Sequence, residues 1–165
     1  NMSGIIGSAG TQSGIIGIEQ NVLQPSFNAY PSSTQSNIAY NEWVTVAFGS
    51  ERWDTGGNFA SNTFTAPRTG KYQFNVSLYL TDIQDDAAYY GLSLLTSTGG
   101  GKSYDLAIFD PTSFDKDASF WYMGGAVLAD MGVGDTAYAR IYQSGGTGSS
   151  TDIQTASNFS GFLVC

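Results

Sequence analysis

At 165 residues and a formal charge of −8, the chain has room for one well-buried domain, and its charge is the wrong sign for a phosphate backbone or an anionic membrane. It has no histidine and a single cysteine, Cys165, which excludes a His-based triad, a zinc site of His or several Cys, and an internal disulfide framework. Charged residues make up only 12% of the chain against 21 glycines and 41% hydrophobic residues, a balance that suits strands and turns better than charged surface helices.

In chain order, the first feature is a short repeat: Ser3-Gly4-Ile5-Ile6-Gly7 returns as Ser13-Gly14-Ile15-Ile16-Gly17. Two copies cannot form a solenoid. Paired isoleucines between glycines have no partner surface inside so short an arm, so Ile5, Ile6, Ile15 and Ile16 are expected to bury themselves against sister chains or a larger particle. Residues 1–24 therefore read as an arm for attachment, or for knitting sister chains together, and 25–165 as the globular domain. No basic residue precedes an apolar stretch at the start, and no window approaches the roughly 18 apolar residues of a membrane span. Neither a secretory signal nor membrane insertion is expected.

Beyond the arm, short segments alternate apolar and polar residues between clusters of Gly, Asn, Asp, Ser and Thr. The clearest covers 71–81: Tyr72, Phe74, Val76, Leu78 and Leu80 share one face, with Lys71, Gln73, Asn75, Ser77 and Thr81 on the other. Further strands are predicted over 27–30, 43–48, 63–65, 89–95, 104–109, 120–128, 136–142 and 158–164. No long segment keeps a helical period with caps. The prediction is an all-β, two-sheet sandwich of about ten antiparallel strands, with a jelly roll among the leading arrangements.

Phe48, Asp54, Phe59, Phe64 and the run Gly70-Lys71-Tyr72-Gln73-Phe74 carry a more specific pattern. With Val127-Leu128, Val133-Gly134-Asp135 and the ending 158–164, they resemble the signature of the C1q family, part of the wider group of trimeric jelly rolls shared with tumour necrosis factor. The gap from Phe59 to Phe64 is two residues shorter than the family spacing, and Val76 stands where the family prefers an aromatic. The resemblance implies a homotrimer whose first and last strands face the threefold axis. Bottom-up reasons exist for the same residues: Gly70 and Gly134 suit turns needing unusual φ, and Gly161 would let a neighbouring side chain approach its strand closely. Alternation alone does not say which aromatics face inward; the interface candidates are Phe27, Tyr30, Tyr79, Trp121 and Phe162.

Groups that could carry chemistry are few. Gly99-Gly100-Gly101-Lys102-Ser103 has the ending of a phosphate-binding loop, but Thr96 replaces the required first glycine and a strand follows where a helix is needed. It reads as a hairpin loop. Asp82, Asp85 and Asp86 are suitable hard ligands for calcium, which some C1q-like trimers hold in the equivalent loop; the simpler account is a solvated acidic turn. No required cofactor is expected. Cys165 is expected as a free thiol, because three thiols on a threefold axis leave one unpaired.

The functional expectation is a non-enzymatic trimeric binding or structural protein, with sheets as scaffold and loops as contact surface. The arm resembles the starts of short bacteriophage reading frames. This points to a virion component, a fibre-tip, adhesion or decoration protein that recognises a host-surface ligand such as a glycan and is held to the virion or fibre by residues 1–24. Alternatives are a bacterial surface or spore-coat adhesin and, from another class, a carbohydrate-active enzyme.

Overall fold

The computed structural model describes residues 24–165, so the arm isoleucines Ile5, Ile6, Ile15 and Ile16 lie outside the described residues. Among the described residues the strands in chain order are β1 (Ser26–Tyr30), β2 (Trp43–Thr45), β3 (Ser50–Thr55), β4 (Phe59–Ala60), β5 (Thr63–Thr65), β6 (Gly70–Ile83), β7 (Ala87–Thr96), β8 (Lys102–Phe109), β9 (Ala118–Met131), β10 (Thr136–Gly145), β11 (Asp152–Ile153) and β12 (Asn158–Leu163). They form two antiparallel sheets. In the first, β9 and β12 flank β6, β1 and β3 continue beyond β12, and β11 pairs with the end of β6. In the second, β8, β7 and β10 lie side by side, and β2 and β5 share the far edge of β10. Among the described residues no helix is long and apolar enough to cross a membrane.

The period-two pattern of 71–81 is realised in β6. Tyr72, Phe74, Val76, Leu78 and Leu80 all point into the space between the sheets, where they meet Phe27, Phe48, Phe59, Phe64 and Phe159. Phe27 is the hub: its ring stacks on Phe59 at 4.7 Å and Phe64 at 5.1 Å and meets the edge of Phe159 at 4.9 Å. Such pairs add about 0.5–1.5 kcal/mol each beyond the area they bury. Phe27 is only 1% exposed, so it is removed from the interface candidates; it fills the sandwich.

Gly161 makes this packing fit. A Cβ there would fall 2.6 Å from Cδ1 of Phe74 and 2.8 Å from Cε1 of Phe27, so the last strand passes directly beneath two rings. Gly134 takes the expected left-handed backbone, with φ of 84°. Gly70 does not, and the expectation is corrected: its φ is ordinary, and glycine is needed there because a Cβ would collide with the Cys165 carbonyl oxygen and the Leu163 side chain.

The short gap from Phe59 to Phe64 has a direct cause. Phe59 pairs with Phe64 and Ala60 with Thr63, leaving Ser61 and Asn62 as a two-residue hairpin with φ of 50° and 67°, the left-handed pair that matches strand twist. Asp54 accepts hydrogen bonds from the backbone N–H groups of Asn58 (3.0 Å) and Phe59 (2.9 Å), fixing the turn ahead of it. Gly99 to Gly101 connect β7 to β8 around a short 3-10 turn, as a hairpin loop should.

Replacing Gly161 by Ala should therefore overpack the core and cost about 1–3 kcal/mol, seen as a lower urea midpoint with unchanged m-value. An unchanged midpoint would show that the Phe27 and Phe74 rings are free to move aside.

Candidate interaction face

The outer face of the first sheet is built from β9 and β6, paired from Gly70↔Met131 to Ile83↔Ala118, together with β12, β1 and β3. Because alternate residues of β6 fill the core, the intervening ones and their cross-strand partners must point outward. Tyr79 faces Tyr122, their rings stacked at 4.7 Å and 9° apart. Gln73 lies between Leu128 and Phe162. Asn75 lies between Ala126 and Ser160, a row that continues through Asn28 to Trp53.

This face is unusual for a protein surface. Phe120 is 65% exposed, Tyr122 60%, Trp53 51%, Leu128 50% and Phe162 42%, and their neighbours are uncharged Asn, Gln, Ser, Gly and Ala. Charge enters at its margins: Lys71 and Asp130 are paired in register at one end, Asp152 pairs with Thr81 in the row of Phe120 at the other, and Arg52 lies 4.9 Å above the Tyr30 ring near the β3 edge. Arg52 also donates to Asn28 Oδ1 at 2.9 Å, and Asn158 donates to the same oxygen at 2.9 Å. At the other end, Tyr79, Phe120, Trp121 and Tyr122 line an open groove of about 460 Å³.

Of the interface candidates, Tyr30, Tyr79 and Phe162 lie on this face and Phe27 does not. Trp121 touches both sides: it is paired with Leu80, the inward phase of β6, and packs on Phe109 at 5.1 Å and Phe114 at 5.5 Å, yet it stays 38% exposed and lines the groove with Phe120 and Tyr122. Leu128, Phe120 and Trp53, which sequence reasoning did not single out, belong to the face instead; Leu128 carried the right outward phase opposite Gln73.

The acidic turn is organised by hydrogen bonds to protein groups. Asp82 adopts φ of 55°, and its backbone carbonyl accepts from Thr151 Oγ1 at 3.1 Å and Ser150 Oγ at 3.3 Å. The Asp85 N–H donates to the Asp117 carboxylate at 3.0 Å. Among the described residues no three acidic or thiol side chains come together as a metal centre, so Asp82, Asp85 and Asp86 are not brought into a ligand set. Cys165 is a free, exposed thiol.

No family model matches the chain, and no curated protein does. Solved structures do. The globular domain of zebrafish complement 1qA protein superposes with a TM-score of 0.65 at 18% identity, covering 86% of this chain and 98% of that one. Murine APRIL, solved at pH 8.5, gives a TM-score of 0.59 at 11% identity, covering 86% and 99%. The fold is C1q/TNF-like. At these identities the likeness concerns the fold alone, and the matching motif residues have structural roles here.

The Gly134-Asp135 turn shows such a role. The Asp135 carboxylate accepts from the Gly132 N–H (2.8 Å), Thr98 Oγ1 (2.9 Å) and Ser97 Oγ (3.0 Å), which together hold its carboxyl below the usual range. Asp110 is lowered in the same way by the hydroxyl and N–H of Thr112. A depressed folded-state pKa stabilises the fold above the unfolded-state value and loses that stabilisation as the pH falls through the folded one. Acid should therefore begin to weaken the fold below about pH 4. Asp135→Asn should show a shallower loss in urea titrations across that range; an identical slope would remove Asp135 as a contributor.

Proposed function

We propose that this chain is a non-enzymatic trimeric binding protein whose sandwiches meet through the face carrying β1 and β12. One observation carries the reading: five large apolar side chains stand between two-fifths and two-thirds exposed on a single, nearly uncharged sheet face. Isolated exposed aromatics are ordinary, but several large apolar side chains spread over one sheet face and separated only by uncharged polar or small residues favour an interaction surface. Fully burying each such side chain contributes about 1.5–3 kcal/mol, and a threefold arrangement buries the set three times over. The C1q/TNF-like fold supports self-association as the use of such a face.

Light scattering should give a mass near three times 17.5 kDa. Leu128→Asp combined with Phe162→Asp places two carboxylates on either side of Gln73 on the face and should yield a folded monomer with unchanged far-UV circular dichroism. A wild-type monomer at micromolar concentration would overturn the reading.

At a finer level we infer a virion component, a fibre-tip, adhesion or decoration protein that recognises a host-surface glycan. The support is the doubled Ser-Gly-Ile-Ile-Gly segment: repeated on three chains, its isoleucines would give several weak apolar attachment points acting together. Mass spectrometry of purified particles should detect the chain, and its absence from them would end this assignment.

A further inference from the structure

The second sheet carries a different kind of surface. Four residues lie in register across its outer face: Trp43 of β2 opposite Tyr142 of β10, Tyr142 opposite Gly91 of β7, and Gly91 opposite Ile108 of β8. Three are large and the fourth has no side chain. The result is a hollow of about 200 Å³ lined by Trp43, Tyr89, Gly91, Asp105 and Ile108.

Gly91 is the informative residue. Its φ is not in the left-handed region, so the backbone does not require glycine. A Cβ there would lie 3.7 Å from Tyr89 Cε2 and 4.0 Å from Trp43 Cη2, ordinary contact distances, so packing does not require it either. Glycine inside a strand costs about 0.5–1 kcal/mol and commonly marks the place where a ligand or another backbone comes close. The next row supplies polar groups. Arg140, Ser93 and Asp105 are in register; the Arg140 guanidinium lies 4.1 Å over the Trp43 ring and donates to Ser103 Oγ at 3.1 Å. Ser93 Oγ donates to Asp105 Oδ1 at 2.9 Å, while Asp105 Oδ2 has no hydrogen-bond partner among the described residues.

We propose that this hollow binds one neutral sugar ring. The C–H face of a pyranose would pack on Trp43 and Tyr89, with its hydroxyl edge donating to the open oxygen of Asp105. The ring geometry favours this over a flat aromatic ligand: Trp43 and Tyr142 are tilted by 54°, and Tyr89 lies within 20° of Tyr142, so no two parallel rings stand apart to clasp a plane from both sides. Arg140 and Asp105 balance each other in charge beside the hollow, which suits a neutral sugar better than a charged one. This inference rests on the reading of the chain as a binding protein and gives that ligand a place. The hollow lies on the sheet opposite the proposed trimer face, so three copies would face outward and act by avidity.

The test uses the full chain and three probes: methyl β-galactoside, methyl α-mannoside and the methyl glycoside of N-acetylglucosamine, followed by saturation-transfer NMR and Trp fluorescence. At least one should bind saturably with Kd on the order of 1 mM, as expected for a single shallow site. Gly91→Val, a good strand residue that fills the hollow, should raise that Kd about tenfold or more, as should Trp43→Ala. Gly91→Val should leave the far-UV spectrum and the light-scattering mass unchanged. No saturable signal from any of the three, or a Kd untouched by Gly91→Val, overturns the site. A trimer without sugar binding sinks the hollow alone, whereas a sugar-binding monomer sinks the trimer and leaves the hollow standing.

Discussion

Everything in this fold is arranged around a close passage: the last strand runs beneath the rings of Phe27 and Phe74 at Gly161, nearer than any other residue would permit. The contact ties the first strand, the last strand and β6 into one sheet. It also sets the phase of all three, because a one-residue slip in a strand turns every side chain to the opposite face. With Phe27, Phe74 and Phe159 committed to the interior, Phe162, Asn75 and Asn28 have only the outer face left. The uncharged surface that we assign to self-association is thus the necessary reverse of the core.

The far end of the sandwich is fixed by polar groups. Gln143, fully buried, donates to Gln84 Oε1 at 2.6 Å and to the carbonyls of Gly145 and Gly148. The Tyr90 hydroxyl bridges the Gln84 N–H and Thr151 Oγ1, and burial pushes its pKa up. These bonds join the β6–β7 turn to the segment between β10 and β11. In a region shielded from water such bonds are stronger than at the surface, although Gln143 Oε1 itself has no hydrogen-bond partner among the described residues. The acidic residues of the turn stay at its solvent side.

Strands whose two faces differ strongly were legible. The alternation of 71–81 located β6, and the aromatics of the C1q-like pattern, from Phe48 to Phe74, lie in the core. Strand β3 was not legible, because Ser50 to Thr55 sit at a sheet edge with no buried face and so carry no period to detect. The predicted strand over 43–48 ends at Thr45, although Val46 and Phe48 remain buried, since alternation reports burial and not ladder pairing. Phe27 was misplaced for a related reason: period two separates two faces without saying which is inside. The hollow on the second sheet was beyond reach, because its residues come from β2, β7 and β8 and only register brings them together.

The glycines separate the two sheets by what they are for. Gly161 and Gly70 are demanded by packing and Gly134 by its backbone angle, so each is explained once the fold is known. Gly91 is demanded by neither, since a Cβ would meet only ordinary contacts, yet it occupies the middle of a central strand beside the Tyr89 and Trp43 rings, where alanine would have cost less conformational entropy. A position that folding alone would fill, left empty where rings and a carboxylate converge, is the kind of local concession that functional sites make. The first sheet's outer face is of another kind, with large exposed side chains set among uncharged polar and small residues, and it is the face that we assign to self-association. Self-association and ligand recognition can therefore occupy opposite sheets without competing for the same residues.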